Sequence, residues 1–250
     1  MFRQLLKWGA WADVKELLSP RFFEVMSTRK IVGLLRELYG LYGDDEAWEE
    51  ASSDLVRRLS RGGMDLRVVR QAEGAHGATE ELGDLLLRVY FTQLLYGEMT
   101  LLDLRNQGFY QFEGQWEWAP TPLMIRWEDA FQEGLRDMYV GFYRDDRERF
   151  QRGLEALNLG DVEEQFRRHF GEGHQREVAF SLQEFKEVFH EILTECKDQG
   201  IKLHYQFGAL GIYLSCLYDH LEKLGGAYDV RQAVDWALEL GDTEDFHGDS

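Results

Sequence analysis

All 3 prolines of this chain of 250 residues, Pro20, Pro120 and Pro122, lie in its first half, so 128 consecutive residues after Pro122 lack the strongest helix breaker. A proline inside a helix removes one backbone hydrogen bond and clashes with the preceding turn, so a long stretch without one favours long helices. Apolar residues in this stretch recur at helical spacing. Phe131, Leu135, Met138, Tyr139 and Phe142 form one stripe, and a second helix is expected over Arg147–Leu157, ended by Asn158-Leu159-Gly160-Asp161. Residues 162–170 read as a further helix before the Gly171-Glu172-Gly173 break. Ser181 with Glu184 three residues later is a capping box, which opens a helix to about Gln199. Gly200 and Gly225-Gly226 then bound a helix over Phe207–Leu224, and Val230–Leu240 forms the last, followed by a polar acidic tail expected to fray.

The first half is less uniform. Residues 1–43 read as two or three helices, with Ile31, Leu34, Leu35, Leu38 and Leu41 as one apolar stripe. Asp44 or Asp45 can cap a helix through Trp48, Leu55, Val56 and Leu59. Arg61-Gly62-Gly63 and Glu73-Gly74-Ala75-His76-Gly77 read as loops, and an apolar helix follows from Leu82 to Leu95. Between residues 97 and 127, glycines and prolines punctuate short aromatic runs. Phe109–Phe112 and Gln115–Trp118 flank Glu113-Gly114 as a β-hairpin. The expected fold is mainly α, a multi-helix domain with a small β-hairpin near residues 109–118. Its parts are an N-terminal helical region 1–81, a helical domain 82–240 and an acidic tail 241–250.

Composition narrows the function. Hydrophobic residues at 44% and aromatics at 14% supply enough burial for a real core. A formal charge of −18 repels nucleic acid, and the arginines are scattered among carboxylates, as in Arg144–Arg149, so no basic patch offsets that field. Cys196 and Cys216 stand at no metal-ligand spacing and read as small core residues of a reducing compartment. Charged residues Arg3, Lys7, Asp13 and Lys15 interrupt any N-terminal apolar run, and no stretch approaches the ~20 apolar residues of a membrane span. The expectation is a cytoplasmic protein with no transmembrane segment.

No phosphate-binding loop, dinucleotide fingerprint, nucleophile elbow or His-Glu-x-x-His helix is present. One Glu-x-x-His occurs, Glu187 to His190. It puts a carboxylate and an imidazole on one helix face, as in di-iron bundles, but the second such motif is missing. A chance match therefore outweighs a metal site, and no cofactor is expected. His204, His220 and His247 have no cysteine or histidine partner at ligand spacing and read as surface or interface hydrogen-bonding residues, while His76 sits in a loop between Gly74 and Gly77. Adjacent carboxylates such as Asp145-Asp146 point about 100° apart on a helix and read as solvated faces. The aromatics of the hairpin region, with Trp127, could stack a planar ligand, but core packing is the preferred reading.

From about residue 82 the order of elements resembles the C-terminal lobe of the AarF/UbiB-type atypical kinases. In that family an apolar helix leads into a His-x-Asp-x-His-Pro-Gly-Asn catalytic loop, then a short hairpin, an Asp-Phe-Gly metal motif and several helices. Here Leu85–Leu95 is similar to that helix, and Leu101-Leu102-Asp103-Leu104-Arg105-Asn106-Gln107-Gly108 stands at the loop. Asp103 falls on the catalytic aspartate. Gly108 replaces the metal-holding asparagine, and Leu101 and Arg105 replace both histidines. Leu123-Met124-Ile125-Arg126-Trp127 stands where Asp-Phe-Gly should be, without an aspartate. Tyr139–Phe150 with Leu154–Leu157, then Ile201–Leu221 with Tyr228-Asp229-Val230, are similar to the family's later helices. Residues 1–81 show neither the nucleotide lysine nor the other N-lobe signatures.

The resemblance implies a pseudokinase-like binding or regulatory protein, because phosphoryl transfer depends on metal ions and positioned charges that these substitutions remove. A protein partner is the expected ligand, with the Trp8 and Trp11 face as a candidate surface. The alternatives are a helical bundle that binds an apolar small molecule such as a quinone or lipid, and an enzyme with a non-standard metal site built on Glu187 and His190.

Overall fold

The computed structural model describes residue 25 and residues 28–76, 80–104, 108–164 and 177–245. The Trp8 and Trp11 surface, residues 165–170 of the helix expected over 162–170, and Arg105, Asn106 and Gln107 of the loop lie outside the described residues. What is described is mainly helical. The order is α1 (Thr28–Leu41), α2 (Asp45–Arg61), β1 (Leu66–Val68), β2 (Ala75–His76), α3 (Glu80–Tyr96), β3 (Met99–Leu101), β4 (Phe109–Phe112), β5 (Gln115–Trp118) and β6 (Met124–Arg126). Then follow α4 (Asp129–Tyr143), α5 (Arg147–Ala156), a 3-10 turn (Gly160–Val162), α6 (Leu182–Asp198), α7 (Gln206–Leu224) and α8 (Val230–Asp245).

Helix starts follow local chemistry. Asp44 caps α2, its Oδ1 accepting the Ala47 N–H at 3.1 Å, and Asp45 and Glu46 in the first turn oppose Arg58 and Arg61 in the last. That distribution suits the helix macrodipole at both ends. Ser181 caps α6 by accepting the Glu184 N–H at 3.3 Å, as the capping box requires. The expected stripe of α1 is corrected at one position: Ile31, Leu34, Leu38 and Leu41 are buried, but Leu35 faces outward.

Helices α3 and α7 are apolar around nearly their whole circumference, and both are buried at the centre of the core. Tyr90 of α3 and Tyr213 of α7 stack at 4.7 Å, and the Tyr213 hydroxyl donates to the Tyr90 carbonyl at 2.7 Å. The remaining helices pack around this pair. α8 continues through Asp245, so the acidic tail expected from residue 241 is helical for five residues. Gly241 allows that extension, because a Cβ there would come within 2.3 Å of the Tyr96 ring.

The hairpin forms where its sequence placed it. Phe109 pairs with Trp118 and Phe112 with Gln115, across a two-residue turn with Glu113 at φ 50° and Gly114 at φ 83°. Two left-handed residues give the turn whose twist suits a tight hairpin, and glycine takes the second at no steric cost. The hairpin is not alone, however. It lies inside a four-stranded sheet of order β1-β5-β4-β2, with β1 parallel to β5 and the other pairs antiparallel. Residues 73–77, read as a loop, thus contain a strand, and β1 pairs Leu66 with Trp116 across the expected 81/82 boundary. A separate pair, β3 and β6, brackets the hairpin region, with Met99 opposite Arg126 and Leu101 opposite Met124.

Both cysteines are fully buried, Cys196 on α6 and Cys216 on α7. Burial pushes the Cys196 thiol up to about 12. Since the thiolate is the reacting form, neither cysteine should react with an exposed-thiol reagent at pH 8 until the protein is unfolded. Counting modified thiols by mass spectrometry checks this, and rapid labelling of either residue in folded protein would contradict the packing described.

Candidate functional site

Asp103 follows β3 directly, and the segment around it is held from several sides. Gln93, buried on α3, accepts the Leu101 N–H at 2.8 Å. Leu102 donates to the Leu123 carbonyl at 3.0 Å, and its own carbonyl accepts the Thr121 N–H at 2.9 Å. Gly108 closes the other end, its carbonyl accepting the Ala119 N–H at 2.7 Å. The strand preceding Asp103 and the segment following the hairpin therefore hold residues 101–104 and Gly108 between them.

Within this clamp the Asp103 side chain has no exposed surface. Its Oδ2 accepts the Gly108 N–H at 2.8 Å and lies 3.5 Å from His220 Nε2 on α7. A Cβ added to Gly108 would come within 2.2 Å of that oxygen and 3.0 Å of the Ala119 carbonyl, so this arrangement requires glycine at 108. The carboxylate ties the two ends of its own loop together and faces the histidine of a central helix. A carboxylate hydrogen-bonded to a backbone N–H inside a low-dielectric core holds its partner firmly, and leaving either group unmatched is costly.

His220, expected from sequence at a surface or interface, is instead buried. Its signal is modest: Tyr213, Cys216 and His220 recur at i, i+3 and i+7 on one face of an otherwise apolar helix. That face meets α3 and the loop. Burial pushes the Tyr90 hydroxyl well up, reinforced by nearby Cys216, Tyr213, Asp103 and Asp219, so this tyrosine stays neutral. Asp219, also buried, is paired with Lys223 at 2.6 Å. Phe109 and Trp118 roof the site, stacked at 5.4 Å, with Phe109 edge-on to His220 at 6.3 Å. The Trp118 indole N–H has no hydrogen-bond acceptor among the described residues.

The structure does not bring the Glu-x-x-His pair into a ligand set. Glu187 is exposed and accepts from Gln183 at 2.8 Å, while His190 Nδ1 lies 2.8 Å from the Lys186 carbonyl on its own helix. Among the described residues no group of three His, Cys, Asp or Glu side chains is placed to hold a metal ion. His204 stacks on Phe131 at 4.9 Å and contacts Glu128 at 3.2 Å; burial pulls its pKa down against the opposing pull of that carboxylate. The backbone of His76 pairs with Tyr110, and His247 lies outside the described residues.

Three cavities among the described residues bear on the apolar-ligand alternative. An apolar space lined by Phe185, Phe189, Leu203, Phe207 and Leu210 measures about 20 Å³, and another beside Phe91, Tyr139 and Tyr218 about 40 Å³. A drug-sized ligand takes roughly 300 Å³ or more. A groove of about 510 Å³ does exist between α2 and the α3–β3 junction, but charged Glu50, Asp54, Arg57, Arg58 and Glu98 line it, which suits neither a quinone nor a lipid tail. No helix among the described residues is long and apolar enough to cross a membrane.

No protein-family model and no curated protein matches this chain.

Proposed function

We propose that this protein is a non-catalytic, pseudokinase-like module that works through protein contacts. The observation that carries the reading is the burial of Asp103: the one residue at the position of a catalytic aspartate has no exposed surface and is engaged with Gly108 and His220. A general base must reach the proton that it removes, and this carboxylate has no surface from which to do so.

Two further features support the reading. The order of apolar helix, Asp103 segment, hairpin and further helices, on which the resemblance rests, is supported by the described elements, and β3 and β6 flank the Asp103 segment as a pair. The chemically specific positions depart from that family in ways the packing reinforces. Glycine at 108 is demanded by the Asp103 contact, so an asparagine that could hold a metal ion does not fit there. Strand β6, at the Asp-Phe-Gly position, offers an exposed Arg126, whose guanidinium would repel a metal ion.

Thermal unfolding with millimolar ATP and magnesium tests this. A ligand at 100 times its dissociation constant adds about 2.7 kcal/mol, which for a chain this size raises Tm by roughly 5–10 °C. The expected result is no shift with ATP, magnesium or both. A rise that requires both together would overturn the proposal.

A further inference from the structure

Among the described residues, the exposed large hydrophobic side chains are Val32 (50% exposed), Leu35 (41%) and Tyr39 (58%), and all three lie on α1. Their spacing, three residues and then four, is that of heptad a and d positions, so they form one straight stripe along the helix. At 100° per residue the stripe runs between two neighbours. On one side are Ile31 and Leu38, which α1 buries against the body; on the other are exposed Arg29 and Arg36. Gly33 and Gly40 continue the exposed surface beyond the arginines with open space above them. No acidic residue of α1 is exposed; Glu37 is half-buried near Arg126 and Glu128.

The charge of this region opposes that of the rest. Residues 1–43 carry 7 Lys and Arg against 4 Asp and Glu, whereas residues 44–250 carry 21 against 42. An apolar heptad seam edged by arginines, in a chain otherwise strongly acidic, is complementary to an apolar seam edged by carboxylates. We propose that α1 docks an amphipathic helix of a partner protein, with the partner's apolar a and d side chains on Val32, Leu35 and Tyr39 and its Asp or Glu residues against Arg29 and Arg36. This rests on the reading of the protein as a contact module and names the surface and its partner's chemistry.

Two other occupants fit less well. A flat bilayer would meet the arginine row first, because Arg29 and Arg36 lie opposite the buried face and the apolar stripe lies to one side of them. A second copy pairing α1 with α1 would bring arginine-edged seams together with no acid to match them.

The test uses the full chain and a labelled synthetic peptide with Leu at heptad a and d and Glu at the flanking e and g positions, whose own repulsion keeps it monomeric. A matched peptide carries Lys in place of Glu. Fluorescence anisotropy should show saturable binding of the Glu peptide at least tenfold tighter than of the Lys peptide. Leu35→Ser with Tyr39→Ser should weaken it at least tenfold, and Arg36→Glu should reverse the preference between peptides. All three positions are exposed, so unchanged thermal unfolding of the variants is expected and checked alongside. Equal binding of both peptides, no effect of the variants, binding only to vesicles containing phosphatidylserine, or self-association that excludes the peptide would each overturn the proposal. Failure of peptide binding without any response to magnesium and ATP removes this surface alone; a response to magnesium and ATP removes the non-catalytic reading and leaves the peptide result intact.

Discussion

Asp103→Ala lowers the stability of the folded protein by about 3 kcal/mol, read as a fall in Tm of roughly 6–12 °C. The substitution takes away the acceptor of the Gly108 N–H in a site with no exposed surface, and a buried donor without a partner keeps its full desolvation penalty. Asp103→Asn retains the shape and an accepting oxygen, so it should cost only about 1 kcal/mol. The difference between the two variants is the informative quantity. A catalytic aspartate in an open cleft would show the reverse: little loss of stability for either, and loss of activity for both. Chemical denaturation with a common m-value checks the comparison, since a changed slope would mean that the folded or unfolded ensemble itself had altered. If Asp103→Ala is as stable as the original protein, Asp103 does not clasp the loop.

The second large effect lies in the contact between α4 and α5, far from any chemistry. A Cβ at Gly141 would stand 2.2 Å from the Phe150 backbone nitrogen, and one at Gly153 would stand 2.3 Å from that of Met138. Backbone atoms cannot swing aside as a side-chain tip can, so the helices must separate to admit a methyl group. Gly141→Ala and Gly153→Ala should each cost about 3 kcal/mol, at the upper end of the overpacking range. Gly33→Ala on the exposed side of α1 meets nothing within 4 Å and should instead stabilise by about 0.5–1 kcal/mol through helix propensity. The same substitution thus changes sign with the space around it, and thermal unfolding of the three variants side by side measures that directly. A tolerated Gly153→Ala would mean that α4 and α5 pack less closely than described.

The parts of this fold that were legible in the sequence are those set by neighbours in the chain. Asp44 and Ser181 cap helices through groups three residues away, and the Glu113-Gly114 turn specifies its hairpin by backbone conformation alone. The strands that escaped notice, β1, β2, β3 and β6, are two or three residues long, too short for alternation to register. Their pairing is fixed by distant partners: Leu66 with Trp116, Met99 with Arg126. Gly141 and Gly153 read in sequence only as weak helix positions, because the reason for them lies on the facing helix.

The candidate site divides in the same way. Asp103 was visible because a motif-like order of elements surrounds it. The role that burial gives it was not visible, since that role depends on Gly108 having no side chain and on His220 arriving from a helix more than a hundred residues later. Leu35 shows the converse: five apolar residues of α1 suggested one buried stripe, and only the packed structure separates the four that face inward from the one that helps to form an exposed seam.

The most direct test of the central claim is phosphoryl transfer itself. Full-length protein would be incubated with γ-labelled ATP and magnesium, beside its folded Asp103→Asn variant, and released phosphate and labelled protein would be counted. The account predicts background counts that are equal in the two proteins. Hydrolysis or autophosphorylation that disappears in Asp103→Asn would contradict it, because it would mean that the loop opens and that this carboxylate reaches a substrate.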